Sequence, residues 1–326
     1  MTTVPLWAWA ATLAVLAVLI VVDLVLTRGP ENGLRAAAVE SALWLAAALA
    51  FGGVLWLWRG PAIGGQYLAG YLLERALSVD NVFVFVLLFV SLSVPAELQR
   101  RILFLGVVGA LVLRGVFIAA GGALIQHVSW IFYVFGAMVL VAGARMFRSG
   151  EAGSGNNLAV RGLRRVLPVT EHYDGGRLIT RASGRAAATP LLVALVAIAV
   201  TDVVFALDSI PAVFGVTRDL FVVFTSNAFA VLGLRALYFL LAGSADRFVY
   251  LKPGIALLLV FIGVKMLLYD VVHMPVWVSL VVIGAVAGGA IAASLWRDRR
   301  RRRLGLEPEP VPAAAEPELE DRAVRR

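Results

Sequence analysis

The feature that most constrains this chain is a run of continuously apolar stretches, each long enough to cross a bilayer, recurring up to residue 296. A transmembrane helix needs about 20 mostly apolar residues. Membrane barrel strands would alternate apolar and polar positions, and these runs do not alternate. Helices are then the one backbone form that satisfies its own polar groups in lipid. The composition agrees: 61% of the 326 residues are hydrophobic and the mean hydropathy is +0.89, against roughly 45–50% apolar residues in soluble domains. The expected fold is all-α, a polytopic transmembrane helical bundle.

Nine spans are expected, near residues 6–26, 36–58, 67–93, 102–122, 129–147, 190–210, 220–241, 254–270 and 275–296. Gly60-Pro61, Pro95, Pro190, Pro253 and Pro275 mark turns or helix starts. The chain divides into two N-terminal helices (1–66), a three-helix unit (67–148) and a polar loop (149–189). A second three-helix unit (190–270), a last span (271–296) and a tail (297–326) follow. The tail is a basic run and then PEPVPAAAEPELED, a composition that cannot bury a core and reads as disordered.

Basic residues give the orientation. With the N-terminus outside and the C-terminus cytoplasmic, inner segments hold 22 of the 29 Lys and Arg. The outer segments hold Arg59 and Arg218, and Arg75, Arg114, Arg145, Arg235 and Lys265 lie within spans. This bias supports both the span count and the orientation. It also accounts for the formal charge of +8 without nucleic acid as a partner. The basic start of the tail reads as an anchor on anionic lipid. Residues 1–26 lack a basic leader, and Asp23 sits where a cleavage site would be, so they read as a retained span. There is no cysteine, which removes disulfides, thiolate metal sites and cysteine nucleophiles.

Spans 3–5 resemble spans 6–8. Glu74-x5-Asp80-Asn81 recurs as Asp202-x5-Asp208-Ser209, ALVLRGVF (110–117) as VLGLRALY (231–238), and GARMF (143–147) as GVKML (263–267). An odd number of spans per unit inserts the second copy from the opposite side. That is an inverted repeat, the layout of secondary transporters with a site between repeats near the midplane. Asp80 is then expected close to Asp208.

Four carboxylates within spans need an offset, since each costs about 2.5–3.5 kcal/mol at mid-bilayer on insertion scales. A cation, shared protons or the intramembrane arginines would supply it. Glu74 and Asn81 are seven residues apart and share a helix face, as do Asp202 and Ser209. Asp80 and Asp208 point about a third of a turn away, and Pro211 is expected to break the second helix beside Asp208. The candidate metal ligands are therefore Glu74, Asp80, Asn81, Asp202, Asp208 and Ser209. Thr225, Ser226 and Asn227 on span 7 are added candidates, and Arg114 and Arg235 are accessory. All the ligands are oxygen, which suits Mn²⁺, Mg²⁺ or Ca²⁺; His127, His172 and His273 fall in loops or at span ends. The competing reading makes the carboxylates structural partners of Arg75, Arg114 and Arg235. Both hold if an arginine fills the empty site and the ion displaces it. Asp23, Glu40, Arg145 and Lys265 are expected to snorkel.

At ERALSVDNVFVF (74–85) and ALDSIPAVFGVTRDLFVVFTSNAFAVLGLRALYF (206–239) the sequence resembles the TerC family, over about residues 10–296. The resemblance implies a multi-pass inner-membrane protein similar to the LysE transporter superfamily. It implies manganese export, or protection from metal and tellurium oxyanion stress. It places Glu74, Asp80, Asn81, Asp202 and Asp208 at the family's metal-binding positions.

The sequence thus predicts a secondary transporter, not an enzyme, that exports a hard divalent cation, Mn²⁺ foremost. The ion is substrate, and no permanently bound cofactor is expected. The same carboxylates are candidates to carry protons inward. There is no GxxxxGK[ST] motif for nucleotide-driven pumping. The alternative is a membrane scaffold recruiting stress-response or insertion partners through the loop and tail. A third reading, an intramembrane aspartyl hydrolase, has no accompanying protease motif.

Overall fold

The computed structural model describes residues 4–26, 34–92, 94–128, 130–148, 169–170, 174–182, 185–241, 249–272 and 274–303. Ten helices carry the nine expected spans: α1 (Leu6–Leu26), α2 (Leu34–Arg59), α3 (Pro61–Ser91), α4 (Ala96–His127), α5 (Ile131–Arg148), α6 (Pro190–Val216), α7 (Leu220–Leu232), α8 (Leu234–Leu241), α9 (Leu251–Leu267) and α10 (Val276–Arg303). Among the described residues, six segments are long and apolar enough to cross a membrane by length and composition. Large apolar side chains such as Leu6, Leu57, Val112, Val281 and Trp296 face outward, which a bilayer tolerates and water does not.

Local chemistry sets the helix ends. Gly60 adopts φ 91°, a left-handed turn, and Pro61 opens α3, where its missing N–H is no loss. Thr189 caps α6 by accepting from the Leu192 N–H, and Asp219 caps α7 by accepting from Phe221 and Val222. Span 7 is divided at Gly233 into α7 and α8. The Arg75 Nη1 donates to the Ala230 carbonyl beside that break at 3.3 Å, where helix-end carbonyls favour a cation.

Two expectations fail. α6 runs unbroken through Pro211: proline removes one backbone bond, and the helix packed around it holds its course. α10 continues through RDRRRRR to Arg303, because arginine is a good helix former and cations suit a helix C-terminus. Residues 304–326 of the tail lie outside the described residues. The 149–189 loop contains an antiparallel hairpin, β1 (Ile179–Ala182) with β2 (Arg185–Ala188), paired from Ile179–Ala188 to Ala182–Arg185.

The segment Leu220–Leu240 is the axis of the bundle, 89% buried, against 17% for the last helix. α3 packs on α7, α6 on α4, and α5 on α9. The α5–α9 contact is close because both helices present glycine. A Cβ on Gly143 would sit 2.9 Å from the Ala256 carbonyl oxygen, and one on Gly263 2.6 Å from the Leu140 nitrogen. Small residues admit this approach between membrane helices. Val4, Arg59, Thr217, Arg218, Asp219, Tyr269, Val272, Met274 and Pro275 border one cavity at one end of the bundle. At the other end Tyr238 meets Gln99 at 2.9 Å, and Gly176 lies against Arg101.

Candidate metal site

The centre of the site is an arginine. Arg114, from α4, is 1% exposed and reaches into the space between α3 and α6. Its Nη1 donates to Oε1 of Glu74 on α3, and its Nη2 and Nε donate to Oδ1 of Asp202 on α6 at 2.9 and 3.2 Å. Nη1 also lies 3.5 Å from Oγ of Ser209, which donates onward to Glu74 Oε1 at 3.4 Å. Glu74 is fully buried, and Asp202 and Ser209 nearly so. The seven-residue spacing of Asp202 and Ser209 does put both on one face of α6, turned toward Glu74.

The cluster is not closed on itself. One guanidinium between two carboxylates leaves a net charge of −1 if both are ionised, and a buried charge needs a counter-charge or a proton. Glu74 Oε2 is buried without a hydrogen-bond partner among the described residues, as are Ser78 Oγ and both amide atoms of Asn227. Ser78 lies one turn beyond Glu74 on α3. Asn227 follows Ser226, which packs against Gly70, one turn before Glu74. Buried polar atoms without partners call for a missing ligand or water. Ser78 was not among the sequence candidates; its signal is its position between Glu74 and Asn81 on one helix face.

The other candidates fall as follows. Asn81 is buried on α3. Asp80 lies on α3, but its side chain, and so its approach to Asp208, lies outside the described residues. Asp208 is half-buried on α6 and feels the charge of Arg145, outside the Arg114 cluster. Thr225 and Ser226 donate to carbonyls of their own helix at 2.8 and 3.2 Å. A cavity of about 10 Å³ beside Asp202, enclosed by Ile198, Val107, Phe85 and Leu234, has room for about one water. Among the described residues no three Asp, Glu or His side chains form a ready metal cluster.

Arg235 is not at this site. Its Nη2 donates to Asp23 Oδ1 and to Glu40 Oε1, each at 2.7 Å, and to the Asp23 backbone carbonyl at 3.2 Å. Asp23 and Glu40 therefore do not snorkel: they tie α1 and α2 to α8. Lys265 does not snorkel either. It is 9% exposed and donates to Ser279 Oγ at 2.8 Å.

With this geometry in view, the sequence matches the integral membrane protein TerC family over residues 59–302. The chain belongs to the TerC family. Among its TerC-family relatives, the uncharacterized membrane protein STKORF319 of Myxococcus xanthus is 48% identical over 79% of this chain and 82% of its own length. The putative membrane-bound redox modulator Alx of Escherichia coli K12 is 43% identical over 90% of this chain and 95% of its own. The thylakoid membrane protein TERC of Arabidopsis thaliana is 42% identical over 78% and 67%. No solved structure matches. The TerC match takes in every residue of the Arg114 cluster. It begins after Asp23 and Glu40, the two carboxylates that hold Arg235.

Proposed function

We propose that this protein is a secondary transporter that exports a hard divalent cation, Mn²⁺ foremost, across the inner membrane of a bacterium. The N-terminus is outside and the C-terminus is cytoplasmic. The observation that carries the reading is the buried oxygen set around Arg114, the Glu74 and Asp202 carboxylates and the Ser209 hydroxyl, with an unpartnered Glu74 oxygen among them and the unpartnered Ser78 hydroxyl one turn along α3. Oxygen donors of this kind suit Mn²⁺, Mg²⁺ and Ca²⁺. Arg114 holds the place of the ion in the empty site. An arriving dication displaces the guanidinium, and its departure, or protonation of the carboxylates from outside, lets Arg114 return. That exchange makes proton antiport the natural coupling.

The packing supports an inverted repeat of α3–α5 and α6–α9: α3 meets α7 as α6 meets α4, and Gly143 meets α9 as Gly263 meets α5. The scaffold reading has one observation in its favour, namely that Arg114 already pairs with both carboxylates as a structural triad would. A redox role, as in the name of the Alx relatives, does not run through thiols here, since the chain has no cysteine. The test is Mn²⁺ uptake by inverted membrane vesicles, with and without a pH gradient. Gradient-dependent uptake above that of vesicles lacking the protein is expected, and its absence across Mn²⁺, Mg²⁺ and Ca²⁺ supports the scaffold.

A further inference from the structure

A second chemistry sits at the end of the bundle that carries the N-terminus. A cavity of about 1220 Å³ there is bordered by three cations, Arg59, Arg218 and Lys265, and by one acid, Asp219. Asp219 is fully engaged: its Oδ2 pairs with Arg59 at 2.7 Å, and its Oδ1 accepts from the Phe221 and Val222 N–H groups of α7. Arg218 and Lys265 have no ion-pair partner within 4 Å among the described residues.

Both are held as though for a ligand. The Arg218 guanidinium lies against two rings, 3.9 Å from the centroid of Phe132 and 4.0 Å from that of Tyr269, and the rings meet each other edge to face. Cation–π contact with the two rings fixes its position, and its Nε is buried without a partner among the described residues. Lys265 lies four residues before Tyr269, whose ring contacts Arg218, and all three residues border the cavity. Its ammonium is nine-tenths buried with a neutral Ser279 hydroxyl as its bonding partner. Two cations bordering one cavity, Lys265 buried and Arg218 half-buried, call for an anion. A guanidinium edge beside an ammonium matches a tetrahedral oxyanion, and the space is far larger than a halide needs.

We infer that this cavity binds a phosphate group, with Arg218 and Lys265 as its ligands. Inorganic phosphate and the headgroup of a phospholipid in the outer leaflet present the same chemistry. None of the residues bordering the cavity belongs to the Arg114 cluster, so binding here is measured independently of any metal transport.

The experiment uses the full chain. In one arm, detergent-purified protein is titrated with inorganic phosphate and heat of binding is recorded. In the other, native mass spectrometry counts phospholipid retained after delipidation. Wild type is expected either to bind phosphate saturably or to retain one phospholipid. Arg218→Gln and Lys265→Met should each weaken phosphate binding at least tenfold or lose the retained lipid. Lys265→Arg should keep it, and Arg299→Gln with Arg300→Gln on α10 should change nothing. If Lys265→Met does not fold, Arg218→Gln on the loop decides. Phosphate binding that survives Arg218→Gln, or a wild-type protein that takes neither ligand, overturns the inference.

Discussion

Two buried arginines, Arg114 and Arg235, are built alike and placed differently. Each lies between two carboxylates within hydrogen-bonding distance and is at most 2% exposed. Arg235 binds the first two helices to α8 through Asp23 and Glu40, and adds a backbone carbonyl of α1. Arg114 joins α3 and α6, and one of its two carboxylates, Glu74, keeps an unpartnered buried oxygen, with the unpartnered Ser78 hydroxyl one turn along α3. The difference teaches that a buried guanidinium is not a role in itself. Around Arg235, among the described residues, a guanidinium nitrogen, Nε, is left over but no buried carboxylate oxygen is, which makes a clamp. Around Arg114 a buried carboxylate oxygen is left over, which makes a place where another cation belongs.

The largest effect is expected from breaking the clamp. Arg235→Gln leaves Asp23 and Glu40 facing each other without a counter-charge, and removing one partner of a buried ion pair costs about 3–5 kcal/mol. Abundance in the membrane and the thermal midpoint in detergent should both collapse, and added Mn²⁺ should restore neither. The triple variant with Asp23→Asn and Glu40→Gln should recover most of the stability. A stable Arg235→Gln protein would place Arg235 with Arg114 and dissolve the contrast.

Arg114→Gln should behave otherwise. It exposes Glu74 and Asp202 to each other, but in a setting that accepts an ion. Mn²⁺ at a hundred times its dissociation constant should stabilise this variant by about 2.7 kcal/mol, seen as a rise in thermal midpoint. Wild type should gain less, because its own arginine competes. Equal shifts in the two proteins, or none in Arg114→Gln, would make the Arg114 cluster a second clamp.

The ion pair of Arg59 with Asp219 sets the scale for a pair that water reaches, with 12% and 19% of the side chains exposed. Asp219→Asn keeps the helix cap and loses the charge. It should cost under about 1 kcal/mol in thermal or chemical unfolding. A larger loss would mean that exposure is a poor guide to the two buried arginines as well.

Much of this was legible in the sequence. Runs of apolar residues announced the helices, and Gly60-Pro61 and Pro190 marked real helix starts. The seven-residue spacing of Asp202 and Ser209 identified a face, because helix periodicity is a local property. The partners of Arg235 were not legible. Aligning ALVLRGVF with VLGLRALY matched two arginines, yet 212 residues separate Arg235 from Asp23, and no local pattern encodes how α1 docks. Lys265 lies near a helix end, where snorkelling is the ordinary expectation; packing of α9 on α10 brought Ser279 over it instead. Pro211 promised a break, but burial on several sides held α6 straight. The break came at Gly233, where Arg75 meets the α7 C-terminus.

The central claim is that Glu74 and Asp202 hold a transported cation in exchange for Arg114. The most direct test is Mn²⁺ uptake by inverted vesicles carrying equal amounts of wild type, Asp202→Asn and the pair Asp202→Asn with Arg114→Gln. The account predicts uptake by wild type alone, with the double variant regaining thermal stability and no transport. Uptake at the wild-type rate by folded, inserted Asp202→Asn would contradict it.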